Sequence, residues 1–312
     1  MNKKTPRNVT TFLLLGFSDL SLTFQVSLFL FFFLSYLLSM IGNGLIIVTI
    51  TRSPHLHSPM YFFLRALSFV EICTINSTVP KALESFFPIG RTISFIGCSV
   101  QLFAFLMPAV CECVLLTVMA FDRYMAICHP LRYTTVVTTR LCYQLTLLSW
   151  SFGVVISFVA CNLLFSLTFC SSNLIAHFFC DIPPIISIAC NDTFGLKVYL
   201  LVSSITATMP PIILIFCSYT KILTSIFSLR SAESRRKAFS TCGSHLVSVI
   251  IYFGTVMVVH FRLDNPFSSY DDRMLAISYC VIIPTINPLI YSLKNSEIKE
   301  AIRKLHLRMR PS

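Results

Sequence analysis

The sequence predicts an all-α membrane protein, a bundle of seven membrane-spanning helices with a short amphipathic helix at the C-terminus. Three observations carry that prediction. The 312-residue chain is 55% hydrophobic and only 12% charged, whereas a soluble domain is about 45–50% apolar and about 25% charged. Seven separate windows each hold the run of about 20 mostly apolar residues that a spanning helix needs. The basic residues behind the net charge of +11 sit in short connectors and at the C-terminus, as the inner face of a membrane requires. No Lys/Arg-rich domain stands apart from the apolar segments, which argues against nucleic-acid binding.

The windows follow one another with short connectors, and one domain, 1–312, holds them all. They cover roughly 24–49, 58–79, 98–122, 141–162, 197–225, 238–260 and 272–292. The stretch TFLLLGF ahead of the first is short and closed by Ser18-Asp19. It does not read as a cleavable signal, so the first span acts as its own anchor. The third window has a face: Cys98, Leu102, Phe105, Ala109, Glu112, Leu116, Met119 and Arg123 recur at alternating three- and four-residue steps, the period of one side of a helix. That face carries both ionisable groups and is expected to look into the bundle. In the tail, Lys294, Lys299, Arg303, Lys304 and Arg308 oppose Ile298, Ile302 and Leu305, the pattern of a helix lying on the inner leaflet.

Orientation follows from charge. With the N-terminus outside, Lys3, Lys4, Arg7, Lys81, Arg91, Lys197, Arg262 and Arg273 lie on the outer face and every other Lys and Arg on the inner side or its edge. The positive-inside rule therefore favours an outer N-terminus and an inner C-terminus. Asn8-Val9-Thr10 is a glycosylation sequon compatible with that choice, and Asn191-Asp192-Thr193 is a second. Of thirteen cysteines, Cys98, Cys170, Cys180 and Cys190 fall on the outer side, where oxidation is permitted. Four cysteines allow three pairings, and the residues alone do not choose among them.

Ionisable residues inside a membrane are expensive and are functional candidates by default. Glu71 in the second window lies roughly 18 Å above Pro59, and Glu112 in the third roughly 16 Å above Arg123, at 1.5 Å per residue. Both carboxyls thus share a depth near the middle of the bilayer. Two acids at one depth must share a proton or a cation, a sodium ion being the natural candidate. Lower down, Asp122 and Arg123 end the third window at the membrane edge. A desolvated arginine with two alternative sets of partners is a natural two-state element.

Asp122-Arg123-Tyr124, Trp150 and the run Asn287-Pro288-Leu289-Ile290-Tyr291 resemble rhodopsin-like G protein-coupled receptors. Within that class the chain is similar to odorant receptors nearly end to end, through LLGFSD (14–19), GNGLII (42–47), PMYFFL (59–64), MAFDRYMAICHPLRY (119–133), HFFCD (177–181), SYTKIL (218–223), RRKAFSTCGSHL (235–246) and PTINPLIYSLKN (284–295). The resemblance implies disulfides Cys98–Cys180 and Cys170–Cys190. It implies an activation switch built from Asp122, Arg123, Tyr124, Tyr219, Asn287, Pro288 and Tyr291, with Arg236 and Lys237 bordering the surface where a stimulatory, olfactory-type G protein docks and cyclic AMP rises. It also implies residence in the plasma membrane. The sixth span reads Tyr252-Phe253-Gly254 where the family commonly has Phe-Tyr-Gly, which puts Phe253 at a position usually given to a hydroxyl and leaves a polar link in doubt.

Matching the spans implies a ligand pocket lined by Phe105, Leu106, Ala109, Val110, Ser203, Ser204, Ala207, Thr208, Phe253, Val256, Met257, His260, Ile277 and Cys280. Phe105 stands where amine receptors carry an acid, so the expected ligand is an uncharged, mostly apolar volatile with one polar group that Ser203, Ser204 or His260 orients. His177, Cys180 and Asp181 look like a soft-metal cluster, but the implied disulfide consumes Cys180 and no metal is expected. A transporter would show repeated halves or a charged pore lining, and an enzyme a nucleophile with its base; neither pattern is visible. A non-olfactory chemoreceptor on the same fold is the alternative, because tissue is not encoded in the chain.

Overall fold

In the computed structural model, residues 9–170, 172–228, 231–264 and 269–308 are described. The order is β1 (Thr11–Leu14), α1 (Leu22–Arg52), α2 (Pro59–Ser85), β2 (Thr92–Ser94), α3 (Phe95–Cys128), α4 (Pro130–Val136), α5 (Thr139–Phe165), β3 (Leu174–Ile175), α6 (Ile182–Ser187), α7 (Phe194–Ser228), α8 (Ala232–Asp264), α9 (Ser269–Ile277), a π turn (Ser278–Ile282), α10 (Ile283–Lys294) and α11 (Ser296–Arg308). Among the described residues seven helical segments are long and apolar enough to cross a membrane; α9, the π turn and α10 form the seventh. The chain is a multi-pass membrane protein.

Helix α1 turns small and polar side chains inward and many of its large apolar ones outward. On α1 the buried positions are Phe32, Ser35, Ser39, Asn43, Ile46, Thr49 and Ile50, a stripe at helical spacing, while Leu34 and Ile41 are exposed. In water that arrangement would be inverted; in lipid it is expected, because the tails solvate leucine and small residues let helices approach. Starts are set locally: Ser94 caps α3 by accepting from Gly97 N, and Thr138 caps α5 by accepting from Leu141 N. Helix α3 runs through the middle, packed by α2, α5 and α7. It continues to Cys128, so Arg123 lies more than a turn inside its end.

Proline shapes the seventh segment. Pro288 has no N–H for the carbonyl of Pro284 one turn back. That carbonyl instead accepts from Ser39 Oγ (2.8 Å) and Asn43 Nδ2 (3.2 Å) on α1. The helices come this close because residue 42 is glycine: a Cβ there would stand 3.0 Å from the Pro288 Cβ.

One end of the bundle is closed by a small sheet of order β2-β1-β3. β1 runs antiparallel to β2, with Phe12 opposite Ile93, and parallel to β3, with Leu14 opposite Ile175. Its alternation buries Phe12 and Leu14, as a half-covered strand requires. The disulfide Cys98–Cys180 ties the top of α3 to the segment before α6, and Cys170–Cys190 closes the loop around β3. Arg273 fastens the lid to α9. Its guanidinium, 1% exposed, donates through two nitrogens to Asp19 at 2.6 Å, donates to the Gly16 carbonyl and lies over the Phe17 ring. Gly16 turns with a positive φ of 58°, where a side chain would be strained.

Candidate functional site

Beneath the lid, between α3, α5, α7 and α8, lies a cavity of about 230 Å³. Its wall from α3 is Phe105, Leu106, Ala109, Val110, Glu112 and Cys113; α7 supplies Leu200, Ser203, Ser204, Ala207 and Thr208. Ile156, Ser157 and Ala160 of α5 close one side, and Tyr252, Thr255, Val256 and Val259 of α8 the other. Asp181, Ile182 and Pro183 form the roof, with Tyr279 and Ile283 beside them. The Asp181 carboxylate is already occupied: Oδ2 accepts from the Tyr279 hydroxyl (2.9 Å) and Oδ1 from Ile182 N (2.8 Å). Phe105 packs against Phe179 and Tyr279, fixing the upper wall. The wall is almost wholly apolar, and the volume, below the about 300 Å³ at which ligand pockets commonly begin, limits the occupant to a small molecule.

Below the cavity, the polar groups of four helices converge. Asn287 Nδ2 on α10 donates to Glu71 Oε1 on α2 at 2.5 Å. Asn43 of α1 keeps one amide oxygen without a partner, and Glu112 of α3 likewise keeps a buried carboxyl oxygen unpaired. Both side chains are within interaction range of Glu71. The two carboxyls read as sharing a depth therefore do belong to one neighbourhood.

At the end of the bundle opposite the lid, Arg123 is 6% exposed. Among the described residues no ion pair joins it to Asp122. Asp122 accepts instead from the Tyr133 hydroxyl (2.8 Å), while Arg123 Nη1 reaches only the Met60 sulfur (3.8 Å) and its Nε has no partner. Tyr124 hydrogen-bonds to His129. Above Arg123, His245 of α8 joins three helices: Nε2 faces the Leu116 carbonyl (3.1 Å) and Nδ1 the Tyr219 hydroxyl (2.7 Å). A carbonyl only accepts, so the ring proton sits on Nε2 and, in a neutral ring, Tyr219 donates to Nδ1. A desolvated cation that lacks a carboxylate, under a three-helix latch, can exchange partners.

Comparison with known proteins agrees with this architecture. A family profile described as "Olfactory receptor" matches residues 32–309. The chain is 43% identical to Olfactory receptor 2H1 of Homo sapiens over 98% of its own length and 95% of that protein's. It is 43% identical to Olfactory receptor 4E2 of Mus musculus over 97% and 96% respectively. The chain belongs to the olfactory receptor family. It is therefore an odorant-responsive G protein-coupled receptor and not an enzyme.

The structure brings nine of the expected lining residues of the receptor to one cavity: Phe105, Leu106, Ala109, Val110, Ser203, Ser204, Ala207, Thr208 and Val256. Phe253, Met257, Ile277 and Cys280 do not line it. On α8 the cavity face is Tyr252, Thr255, Val256 and Val259, a three- and four-residue repeat, and Phe253 and Met257 lie one step round the helix. The hydroxyl thought absent at Phe253 is thus supplied by Tyr252, which donates to the Ala109 carbonyl at 2.5 Å. Ile277 and Cys280 pack with Phe178 and Phe179 under the lid, and the π turn presents Tyr279 and Ile283 instead. Of the switch residues, Asn287, Pro288 and Tyr291 share α10, and Arg236 is exposed on α8. Asn8 and the side chains of Lys237 and His260 lie outside the described residues. Sequence reading passed over Ser157 and His245, and weighed Asp181 only as a metal ligand and Tyr252 only as a departure from the family pattern; His245, an ionisable group inside a span, carried a signal that could have singled it out.

Proposed function

We propose that the cavity takes one small, mostly apolar volatile molecule and that its occupancy drives coupling to a stimulatory, olfactory-type G protein, raising cyclic AMP. The supporting observation is the cavity itself: an apolar chamber under a disulfide-tied roof, sharing Glu112 with the polar layer beneath. Burial there gains about 25 cal/mol per Å² of apolar ligand surface. Phe105 offers a cation nothing to pair with. Ser203 already donates to the Leu200 carbonyl and Thr208 to that of Ser204, so both hydroxyls are left as acceptors that, with Ser204 and His260, orient a ligand's polar end. At the other end Arg123, Tyr124, Tyr219, Asn287, Pro288 and Tyr291 form the switch, with Arg236 and Lys237 beside the docking surface for the helix of the G protein.

The layer of Glu71, Asn43 and Glu112 holds a shared proton or a sodium ion. The oxygen atoms lacking hydrogen bonds on Asn43 and Glu112 fit either occupant, and an ion there would bridge α1, α2 and α3. Glu71→Gln with Glu112→Gln is expected to abolish the sodium and pH dependence of signalling; an unchanged dependence rejects the layer. The receptor resides in the plasma membrane with its N-terminus outside, glycosylated at Asn8. The test of the whole reading is a cyclic-AMP reporter screen of cells expressing this chain against a panel of volatiles. At least one volatile raises cyclic AMP, and Arg123→Ala abolishes that response; survival of the response contradicts the assigned switch.

A further inference from the structure

A second concavity opens on the outside of the bundle, between the lid-side ends of α3 and α5. It holds about 470 Å³, within the range of about 300–1,000 Å³ typical of small-molecule sites. Val100 and Phe158 on its walls are each 60% exposed on spanning helices, so the groove faces lipid. Its polarity is graded with depth. Helix α3 starts at the lid and α5 ends there, which puts Ser99, Asn162 and Ser166 at the upper rim and Phe103 and Phe158 at the floor. Phe165, the aromatic ring at the rim, packs against Phe95 with centroids 5.2 Å apart. The 27 residues of α5 span about 40 Å, more than a hydrocarbon layer of about 30 Å, so Asn162 and Ser166 sit at its polar boundary.

We infer that this groove is a sterol site in the lid-side leaflet, with Asn162 as the acceptor for the sterol hydroxyl. Asn162 Nδ2 donates to the Phe158 carbonyl (2.7 Å), and no described residue donates to its Oδ1. Ser166 spends its proton on the Leu163 carbonyl (2.9 Å) and keeps only lone pairs for a ligand. A rim that offers acceptors selects an occupant that brings a donor. A phosphocholine head group has no N–H or O–H to give, and none of the lining residues carries a charge to meet its phosphate. A sterol carries one hydroxyl at the end of a flat apolar body, the same polar-over-apolar order as the groove. Its fused rings cover Phe103 and Phe158 and forfeit little conformational freedom on seating, whereas an acyl chain must be ordered bond by bond. Ile156, Ser157 and Ala160 on the adjoining face of α5 line the odorant cavity, so a sterol here braces the far side of that wall.

The experiment uses the full chain reconstituted in phosphatidylcholine vesicles with a photoactivatable cholesterol analogue, and maps the labelled peptides by mass spectrometry. Saturable labelling is expected within residues 99–103 and 158–166, competed by cholesterol. The 3-O-methyl ether of cholesterol, which lacks the donor, should compete roughly threefold to tenfold more weakly, the worth of one hydrogen bond. Asn162→Leu removes the acceptor and should bring sterol and ether to the same potency. Ser151→Leu, an exposed position lower on α5 outside the groove, should leave the ratio as it is. Val100→Trp covers the groove and should abolish labelling there, which keeps the proposal testable if Asn162→Leu fails to fold. Labelling that does not saturate above the phosphatidylcholine background, or that falls equally on the other lipid-facing helices, overturns the site. An ether as potent as the sterol in wild type, or an unchanged ratio in Asn162→Leu, overturns the assigned recognition. Cross-linking of a second receptor copy through a photoreactive residue at position 100, with no sterol captured, assigns the groove to a protein contact and also overturns it.

Discussion

His245 is fully shielded, yet both ring nitrogens are engaged, one by the Leu116 carbonyl and one by the Tyr219 hydroxyl. Replacing it with alanine removes both contacts and leaves the Tyr219 hydroxyl only its longer bond to the Cys242 carbonyl (3.3 Å), a loss of about 0.5–1.5 kcal/mol per hydrogen bond. His245→Ala is therefore expected to lower the thermal unfolding midpoint of the purified receptor and to raise its basal G protein activation, because the same contacts tie α8 to α3 and α7. An unchanged midpoint and basal activity would remove the latch. Arg123 shows the same logic inverted. Its partner in sequence, Asp122, is taken by Tyr133, so the arginine is left with a sulfur. Asp122 and Arg123, though adjacent in sequence, do not pair, because neighbours on a helix point roughly 100° apart and each finds its own partner.

At the scale of elements, one fastening of the lid is a long-range ion pair. The Arg273 guanidinium donates to Asp19 and holds its carboxyl below the ordinary carboxylate range, against a smaller opposing effect of burial. A depressed folded-state value means the pair contributes stability above the unfolded value, lost as pH falls through the folded one. Amides of residues 11–19 are thus expected to lose protection against hydrogen exchange, relative to intrinsic rates, below pH of about 4. Asp19→Asn should remove that pH step and loosen the segment at all pH values; equal protection in both proteins contradicts the fastening. The strand β1 was not legible. TFLL looks like the start of an apolar run, and its partners at residues 92–94 and 174–175 lie far along the chain. By contrast, the inner face of α3 was legible residue by residue, since a three- and four-residue repeat is a local property. The cavity contributions of α5 and of Asp181 were not, because a lipid-facing helix and a loop carry no such repeat.

Over the whole molecule, the fold was readable because lipid imposes one rule on every segment: about 20 apolar residues with satisfied backbone. What that rule cannot give is phase about each helix axis, which decided Tyr252 over Phe253 and Tyr279 over Ile277. The arrangement that results is a chamber at the lid end, a shared acid layer in the middle and an underpaired arginine at the far end, all strung along α3. A ligand that differs in affinity between two packings of α3, α7 and α8 shifts the balance between them. The most direct test is a distance measurement between spin labels at Thr135 on α4 and Arg235 on α8, both exposed, in the receptor reconstituted in lipid. Adding an activating volatile is expected to lengthen that distance, and the lengthening should vanish in Ala207→Phe. A distance that stays the same while the volatile still activates would contradict the account.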